Sequence, residues 1–441
     1  MKIAIIVDHN PELMNGASYQ SRQFVDWLVR HGHEIHLIFP FKGRREFKSR
    51  PGVRYHPIPS LSISRYKEYC APLPLLKISL WLKSLDVDLI HAETINPTML
   101  LLGYWIKRRR NIPMFNVLTA HVPFYYPILF PKEKIITKYL LRIGKFMANR
   151  LSGRIEGTFV LSEGMKETLT RKFYSLDPKK VFVLTRPLDP ARFARKAVLP
   201  GLNGLFSVPR GKRLLTLSRL CTTKNVEFLI RAFARRIYPR NKSLHFFVAG
   251  DGPLADELKE KARGLSCPNI HFLGLIPFEA VPALLYASDF FLYSSMSETF
   301  CNVVCEAKYS GLPVVALDDR GGVRAQIQDR RTGILVRDPA EGEFARRFFE
   351  LYADSGLQDD IRRDAHRDVL VNNDPDKIYS SLMDLYFQAC RREPLEGDEI
   401  RKLFSYDRSF IRVRESEPSE FRKAPREIPN RPRPLLEDLP V

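Results

Sequence analysis

Residues 289–317 read DFFLYSSMSETFCNVVCEAKYSGLPVVAL. The apolar runs at the two ends have the length and composition of buried strands. Between them, the residues from about Cys301 to Tyr309 have helical spacing, and Gly311 and Pro313 are typical of a helix end. This stretch therefore predicts one strand–helix–strand unit of a parallel sheet.

The same stretch holds two carboxylates, Glu298 and Glu306, in otherwise apolar surroundings. A buried carboxylate is costly unless another group pairs with it or donates hydrogen bonds to it. Either the two glutamates point to water from a core helix, or they hold a ligand. We expect Glu298 at the positive entrance of the helix and Glu306 two turns further on, about 80° round the helix axis.

Strand-like runs alternate with helix-like segments in both halves of the chain. The remaining predicted strands are KIAIIVD, HEIHLIF, VDLIHAE, PMFNVLTA and GTFVLS in the first half, and RLLTLSR, LHFFVAGDG, NIHFLG and TGILVRD in the second. The clearest helical segments are SYQSRQFVDWLVRHG, VEFLIRAFARRI and PLADELKEKARG. Such alternation predicts an α/β protein with parallel sheets covered by helices.

The domain prediction follows from this alternation. We expect an N-terminal domain over residues 1–195 and a second domain over residues 205–375, with a ligand cleft between the carboxyl ends of their sheets. Residues 376–392 predict a C-terminal helix. Residues 393–441 form a tail rich in Pro and in both charges, which predicts an extended chain.

The composition excludes several classes of protein. With 44% hydrophobic and 27% charged residues among 441, the chain is an ordinary globular one. The six cysteines form no C-x-x-C pair, which favours free thiols over a zinc site or a disulfide framework. Cys301 and Cys305 lie one helical turn apart without a third ligand nearby, and we interpret them as core residues. The sequence shows neither a signal peptide nor a spanning helix, so we expect a cytoplasmic protein.

The formal net charge of +20 lies almost entirely in the first half of the chain. Residues 1–200 hold 33 Lys and Arg against 15 Asp and Glu, whereas residues 201–441 hold 37 against 35. Between Lys107 and Arg154, eleven basic residues face the single acid Glu133. A field of this kind attracts nucleic acid, an anionic membrane surface or acidic substrates.

Loops that follow strands carry the candidate ligand contacts. Gly16 precedes a helix whose amides can meet a phosphate, although a plain turn is the alternative. Arg219 and Lys224 flank a loop that opens a helix, as suits a diphosphate, although a solvated basic loop is the alternative. Gly250 and Gly252 would let a ligand approach the backbone. The absence of a G-x-G-x-x-G after the first strand and of a Walker A motif disfavours a dehydrogenase or a P-loop protein.

Several blocks in order resemble the retaining glycosyltransferases of family 4. Glu298-x7-Glu306 followed by AKYSGLPVVALDDRGG resembles the E-x7-E motif and the turn after it, and SRLCTTKNVEFLIRAF resembles another block of the family. VAGDGPLADELKEKA, HFLG and RHGHEIHLI resemble further blocks, so that the likeness spans residues 1 to about 390. It implies a GT-B fold of two Rossmann-like domains facing a central cleft, with a nucleotide-sugar held mainly by the second domain.

The resemblance also implies roles for individual residues. Glu306 would accept hydrogen bonds from the ribose hydroxyls, and Glu298 would accept them from the sugar. Arg219 and Lys224 would neutralise the diphosphate leaving group in place of a metal ion, since no D-x-D motif is evident. We expect the diphosphate to depart from the face that the acceptor attacks, with retention of configuration and no metal or other cofactor. The other donor-binding residues implied are Gly16, Gly250, Gly252, Thr299, Phe300 and Cys301.

One block narrows the acceptor. FNVLTAHVPFYYPI (115–128) resembles the lipid-glycosylating branch of the family, the sulfoquinovosyl- and glucosyl-diacylglycerol synthases, and implies that His121 is catalytic. A satisfied core histidine is the alternative, and His91 would at most line the cleft. The aromatic residues after His121 lead into a basic segment with apolar residues at helical spacing, which is typical of an interfacial helix. Packing of those apolar residues on the N-terminal sheet is an equally simple interpretation.

Three segments depart from the family pattern. Arg186 and Pro187 replace an Asn-Gly turn, and Ala17 replaces a second glycine after Gly16. Where the family has a Glu after a Gly-Gly pair, this chain has Arg324 or Gln326 near the expected position.

We therefore expect a metal-independent hexosyltransferase on the cytoplasmic face of a membrane, with a UDP-hexose favoured as donor and a lipid such as diacylglycerol as acceptor. One alternative is the same chemistry on a soluble sugar or polysaccharide, and another is a GT-B UDP-sugar epimerase. A third, a basic nucleic-acid-binding protein, leaves Glu298 and Glu306 without a role. The sequence does not identify the donor base, the donor sugar, the oligomeric state or the role of the tail.

Overall fold

The computed structural model describes residues 1–10, 16–42, 47, 50–62, 70–72, 85–120, 142, 145–146, 149–172, 176–194 and 211–395. In chain order the elements are β1 (Lys2–Val7), α1 (Gly16–Arg30), β2 (Glu34–Phe41), β3 (Val53–Ser62), β4 (Cys70–Pro72), β5 (Leu89–Glu93), α2 (Pro97–Arg110), β6 (Met114–Leu118), β7 (Gly157–Val160), α3 (Glu163–Glu167), β8 (Val181–Val183), α4 (Pro190–Ala194), β9 (Arg213–Leu217), α5 (Val226–Ala232), β10 (His245–Ala249), α6 (Ala255–Gly264), β11 (Ile270–Gly274), α7 (Val281–Tyr286), β12 (Phe290–Tyr293), α8 (Asn302–Tyr309), β13 (Val314–Leu317), α9 (Gly322–Gln326), β14 (Ile334–Val336), α10 (Glu341–Ala353), α11 (Ser355–Asn372) and α12 (Pro375–Cys390).

The chain divides into two compact units. Of the described residues, the first unit comprises those within 1–186 together with 375–395, and the second comprises those within 187–374. The sequence placed the seam between residues 195 and 205, whereas the contacts assign α4 to the second unit. They also assign α12, predicted as a separate helix over 376–392, to the first unit.

Each unit contains one sheet. The first sheet has the order β4-β3-β2-β1-β5-β6-β7-β8, and the second has the order β11-β10-β9-β12-β13-β14. Neighbouring strands are parallel throughout, for example with Phe291 opposite Leu215 between β12 and β9, except that β3 and β4 are antiparallel. The predicted α/β class and the predicted strands are confirmed.

Three strands, β3, β4 and β8, were not predicted from the sequence. β3 reads VRYHPIPSLS, and Pro57 and Pro59 argue against a strand because proline cannot donate to the ladder. The structure accommodates them because β3 pairs with β2 along Val53–Pro59, whereas β4 pairs only with Ser60–Ser62. On the side of β3 that faces away from β2, no described strand pairs with the residues around Pro57 and Pro59. The missing proline N–H groups therefore cost no hydrogen bond to a neighbouring strand on that side.

The helix predicted between the two glutamates is confirmed to within one residue. Asn302–Tyr309 is helical, and Cys301 before it has a left-handed backbone with φ of 74°. The helix ends as the Gly-Leu-Pro signal predicts, because the Gly311 N–H donates to Lys308 O at 3.0 Å and the Leu312 N–H donates to Ala307 O at 3.0 Å. Gly311 takes a φ of 66°, which this type of C-terminal turn requires.

The strand order of the second sheet reverses at β9. The chain leaves β9 for β10 on one side, whereas β12 lies on the other side of β9. In open α/β sheets, ligands bind outside the carboxyl ends of the strands where the order reverses in this way. Large apolar side chains fill the interior beneath this edge, including Leu214, Phe246, Phe290, Leu292 and Val315, each at most 1% exposed.

Other predictions bear on the membrane and the tail. None of the helices within the described ranges has both the length and the apolar character needed to cross a bilayer. Beyond residue 395, the predicted tail lies outside the described residues. Residues 121–141, which contain His121 and most of the predicted interfacial helix, also lie outside them.

Candidate active site

Two loops of the second unit meet at the carboxyl ends of β9 and β12. The Met296 N–H donates to Thr223 O at 2.9 Å. The Ser294 hydroxyl donates to Asn225 O at 2.8 Å, and the Ser295 hydroxyl donates to Thr223 O at 3.2 Å. These bonds join the loop that carries Lys224 to the loop that carries Glu298, so residues far apart in sequence share one site.

Lys224 and Glu298 form an ion pair at this junction. The Lys224 ammonium bonds Oε1 of Glu298, and the Tyr293 hydroxyl donates to the same oxygen at 2.8 Å. Burial alone would lower the pKa of Lys224, but the charge and hydrogen bond of Glu298 outweigh it and raise that pKa. Sequence reasoning missed Tyr293, although it ends the strand immediately before the loop, where side chains of a parallel sheet reach a site.

The loop from Glu298 to Cys301 is fixed by the segment after β13. The Glu298 N–H donates to Asp319 Oδ2 at 2.9 Å, and the Gly322 N–H donates to Glu298 O at 2.8 Å. A Cβ on Gly322 would lie 2.6 Å from the Phe300 nitrogen, so only glycine allows the two backbones to approach this closely. The Gly-Gly pair of the sequence motif therefore serves to hold the glutamate loop.

Of the two residues near the position where the family has a Glu, Gln326 rather than Arg324 contacts the loop from Glu298 to Cys301. The buried Gln326 amide donates to Phe300 O and, at 2.9 Å, to Cys301 O. Arg324 instead pairs with Asp318 and is half exposed. Gln326 is thus the residue that anchors the loop, and it does so through hydrogen bonds that need no charge.

Three of the predicted donor-binding residues belong to this loop. The side chains of Phe300 and Cys301 are buried, and burial raises the pKa of the Cys301 thiol well above its usual value. Thr299 lies between them and Glu298. Because two of these side chains pack into the core, their predicted contact with a donor would have to come from backbone groups.

Glu306 pairs with Arg192 rather than with water. The Arg192 Nη1 donates to Glu306 Oε1 at 2.5 Å, and the two side chains are 11% and 13% exposed. Burial raises the pKa of Glu306, and Arg192 opposes that rise. Sequence reasoning missed Arg192, which lies 114 positions before its partner. Its nearest signal was the departure at Arg186–Pro187, in the segment that leads into α4.

The two glycines after β10 pack closely against the backbone of the loop after β9. Gly250 has a φ of 120°, and a Cβ on it would lie 1.8 Å from Ser218 O. A Cβ on Gly252 would lie 2.4 Å from Leu220 O. Both glycines therefore let the loop after β10 pack against the loop after β9, and their contact with a ligand stays a prediction.

The other predicted phosphate contacts stay predictions as well. Arg219 lies in the loop after β9 with an exposed side chain, and Gly16 is the first residue of α1. Lys224 lies in a turn between a strand and the helix α5, the position that the sequence predicted, and its contact with a phosphate stays a prediction.

Lys308 is a buried structural residue next to Glu306 that the sequence did not reveal. It lies on α8 two residues after Glu306, and its ammonium pairs with Asp368 and donates to Gln326 O at 2.7 Å. The Lys308 and Asp368 side chains are 1% and 3% exposed. A lysine on a helix is normally solvated, so its role as an internal brace between α8, α9 and α11 could not be read from its type.

A second polar cluster lies inside the first unit. His91 shares one hydrogen bond with the Tyr386 hydroxyl and another, at 3.3 Å, with Glu93. Burial alone would raise the pKa of Glu93, but His91, the charge of Arg186 and the Ser21 hydroxyl lower it to about 2. His91 is thus a satisfied core residue, and Arg186 is a buried cation of this cluster rather than part of an exposed turn.

The cysteine side chains that the structure describes are free thiols. Cys221, Cys267, Cys301, Cys305 and Cys390 are free, and Cys301 and Cys305 are buried, as the interpretation of core residues predicted. In the part of the chain that the structure describes, no group of three or more His, Cys, Asp or Glu side chains is arranged to hold a metal ion.

Sequence models of two glycosyltransferase groups match the chain. The model described as Glycosyltransferase Family 4 matches residues 14–192, and the one described as Glycosyl transferases group 1 matches residues 211–354. The chain belongs to the GT-B glycosyltransferases of family 4. The predicted enzyme class, a glycosyltransferase, is confirmed.

Curated relatives of this glycosyltransferase include one enzyme named for a lipid product and one named for GDP-mannose. The alpha-monoglucosyldiacylglycerol synthase of Streptococcus pneumoniae is 26% identical over 328 residues, covering 72% of this chain and 71% of that protein. The GDP-mannose-dependent alpha-mannosyltransferase of Mycobacterium tuberculosis is 28% identical over 355 residues, covering 79% and 86%.

Solved structures agree on the fold. Sucrose-phosphate synthase from Thermosynechococcus elongatus has a TM-score of 0.72 at 16% identity, covering 89% of this chain and all of that one. The Anabaena protein HepE, solved in complex with UDP-glucose, has a TM-score of 0.66 at 18% identity, covering 88% of this chain and all of that one. The predicted GT-B fold class is confirmed.

Proposed function

We propose that this glycosyltransferase transfers a hexose from a nucleotide-sugar, with a UDP-hexose favoured, to a lipid hydroxyl such as that of diacylglycerol, with retention of anomeric configuration. The observation that carries the donor half of this proposal is the Lys224–Glu298 pair at the carboxyl ends of β9 and β12. It combines a cation for phosphate with an acceptor for sugar hydroxyls at the edge of the sheet where ligands bind.

Lys224 is suited to the leaving group. Its ammonium has three N–H donors, and Glu298 is its one hydrogen-bond partner among the described residues. The remaining donors are available to phosphate oxygens, whose negative charge grows as the glycosidic bond breaks. The exposed Arg219 in the same loop would add a second cation.

Glu298 and Glu306 divide the recognition of hydroxyl groups. Glu298 is paired with Lys224 and oriented by the Tyr293 hydroxyl, so its carboxylate can accept from the sugar. Glu306 is held by Arg192 and can accept from the ribose. Both carboxylates are thereby assigned to hydroxyl groups of the donor, so the proposal assigns no protein nucleophile and has the acceptor attack from the face that the diphosphate leaves.

The donor base has two candidates. The lipid-glycosylating resemblance favours UDP, and the relative from Streptococcus pneumoniae is named for a diacylglycerol product. A relative of comparable identity from Mycobacterium tuberculosis is named for GDP-mannose, and this favours GDP-mannose as the second candidate. UDP- and GDP-linked donors share the ribose and the diphosphate, so the choice between them depends on contacts to the base.

The lipid acceptor is supported by charge as well as by the relative's name. Eleven basic residues against one acid between Lys107 and Arg154 would draw the first unit to an anionic leaflet. We therefore propose a peripheral association with the cytoplasmic face of a membrane. Replacing Lys134, Lys138, Arg142 and Lys145 by Gln should reduce sedimentation with anionic vesicles, and undiminished sedimentation would contradict a membrane role for this segment.

The experiment that tests the function is a donor panel read by mass spectrometry. UDP-glucose, UDP-galactose, UDP-glucuronate, UDP-sulfoquinovose and GDP-mannose are each incubated with the enzyme, with and without diacylglycerol vesicles. A glycolipid formed from one donor identifies base, sugar and acceptor together, and NMR of its anomeric proton reports retention or inversion.

Two variants make the panel interpretable. Glu306→Gln should abolish most turnover because the ribose loses an ionised acceptor, whereas Glu260→Gln, at an exposed position of α6, should behave as the wild type. Donor consumption without glycolipid would move the acceptor to a soluble glycan, and a new sugar nucleotide would indicate an epimerase. No consumption of any donor would contradict the proposal.

A further inference from the structure

Arg192 is held on three sides before any donor binds. Its guanidinium carbon lies 3.6 Å from the centroid of the Phe278 ring, and Nη2 donates to Phe278 O at 3.0 Å. Nη1 donates to Glu306 Oε1 at 2.5 Å. The stacking fixes the plane of the guanidinium, and the two hydrogen bonds fix its rotation within that plane.

The helix that carries Arg192 packs against the helix that carries Glu306. Phe193 on α4 contacts Tyr309 on α8, with ring centroids 4.9 Å apart. The arginine therefore reaches the carboxylate from a backbone that is itself anchored to α8. The contact is a built feature of the second unit rather than a meeting of two long solvated side chains.

The pairing uses only one oxygen of Glu306. Within the described ranges, Oε2 of Glu306 has no hydrogen-bond donor, whereas Oε1 is bonded to Arg192. Burial disfavours the charged form of this carboxyl, and Arg192 is the one described group that opposes burial by charge and hydrogen bond. An ionised carboxylate with one oxygen fixed presents the other in a defined direction.

From this geometry we infer that Arg192 is a positioning residue for the donor ribose. It holds Oε1 of Glu306 and turns the carboxylate so that Oε2 accepts from the vicinal hydroxyls of the nucleotide. The inference rests on the proposed function, in which Glu306 binds the ribose. It adds that discrimination between ribose and deoxyribose depends on Arg192, which need not touch the nucleotide itself.

The test measures affinity for ribo- and deoxyribonucleotides by calorimetry. The probes are UDP and 2′-deoxy-UDP, and GDP and 2′-deoxy-GDP, so that either donor base is covered. Loss of one hydrogen bond to a charged acceptor should weaken binding by about 10–100-fold, which is the ratio expected for the wild type. Glu306→Gln should bring this ratio towards one.

Arg192→Met should also bring the ratio towards one, because the neutral side chain leaves Glu306 unpaired and free to rotate. Arg192→Lys keeps the charge but loses the planar fork, so it should restore part of the ratio. Arg347→Met is the matched control: Arg347 is 11% exposed and pairs with Asp329 and Glu350 in the same unit. It should lower stability without changing the ratio.

The outcomes separate the two levels of the proposal. A wild type that binds neither UDP nor GDP would overturn the proposed function and the inference with it. A wild type that discriminates, with Arg192→Met weakening both nucleotides equally, would leave the function standing and overturn the inference, since a merely structural residue gives that result. Should Arg192→Met fail to fold, an unchanged ratio in Arg192→Lys would overturn it equally.

Discussion

The buried pair of Lys308 and Asp368 makes a quantitative prediction about the second unit. Replacing Lys308 by Met removes the ammonium and leaves Asp368 with one described neutral donor, the Asn372 amide at 2.9 Å. Breaking a buried ion pair by removing one partner costs about 3–5 kcal/mol, because a buried charge is left uncompensated. The bond to Gln326 O is lost as well, so we expect a value within that range rather than below it.

The magnitude translates into a large thermal shift. At about 2–4 °C per kcal/mol for a domain of this size, Lys308→Met should lower the melting temperature of the second unit by roughly 6–20 °C. Asp368→Asn should do the same by leaving Lys308 unpaired. The double variant should be less destabilised than the two single changes together, with a coupling of at least about 2 kcal/mol.

The assay must report on the correct unit. All three tryptophans, Trp27, Trp81 and Trp105, fall in the sequence range of the first unit, so tryptophan fluorescence follows that unit and circular dichroism follows both. The shift should appear in the dichroism and be smaller in fluorescence. Lys259→Met, which removes an exposed pair with Asp256, is the control and should change neither. Additive single and double variants would refute the argument from a buried, uncompensated charge.

Three further predictions concern the site and the first unit. Lys224→Ala should lower kcat more than it raises KM, because leaving-group charge grows in the transition state, and steady-state kinetics showing a pure KM effect would make it a docking residue. Gly322→Ala should cost about 1–3 kcal/mol and weaken donor binding, since its Cβ would lie 2.6 Å from the Phe300 nitrogen, whereas Gly342→Ala meets nothing within 4 Å and should be tolerated. Burial lowers the pKa of His9 from about 6.5 to about 4. Between pH 6.5 and 4 the unfolded chain therefore binds a proton at His9 that the folded chain does not, and the free energy of unfolding falls as the pH is lowered. His9→Asn should remove up to about 3 kcal/mol of that fall, as measured by urea titrations followed by fluorescence.

The fold was predictable where local pattern and burial agree. Strands such as β1 and β12 are short apolar runs buried on both faces, and their composition alone identifies them. β3 was not predictable, because Pro57 and Pro59 are acceptable only where the neighbouring strand stops pairing. That condition depends on the position of β4 in the sheet, which no local window of sequence contains.

The site was predictable in its members but not in its pairings. The spacing of Glu298 and Glu306 and the loop position of Lys224 indicated a ligand site, and the structure places all three in the second unit. The partners lie 74 positions apart for Lys224 and Glu298 and 114 positions apart for Arg192 and Glu306. Periodicity identifies a buried face, but it does not indicate which distant cation meets a carboxylate there.

The two alternatives for the glutamates, solvation or a ligand, omitted a third that the structure supplies. Each carboxylate is paired with a cation before any donor is present, Glu298 with Lys224 and Glu306 with Arg192. Each pair is therefore close to neutral. Under the proposed function, neither pair carries excess positive charge that could neutralise a bound diphosphate. Under the same proposal, the diphosphate would bind through donors that these two pairs do not use, such as the remaining N–H groups of Lys224. If the proposed function is correct, the carboxylates are already oriented before the donor binds, so little of its binding energy would be needed to organise them and more would stabilise the departing diphosphate.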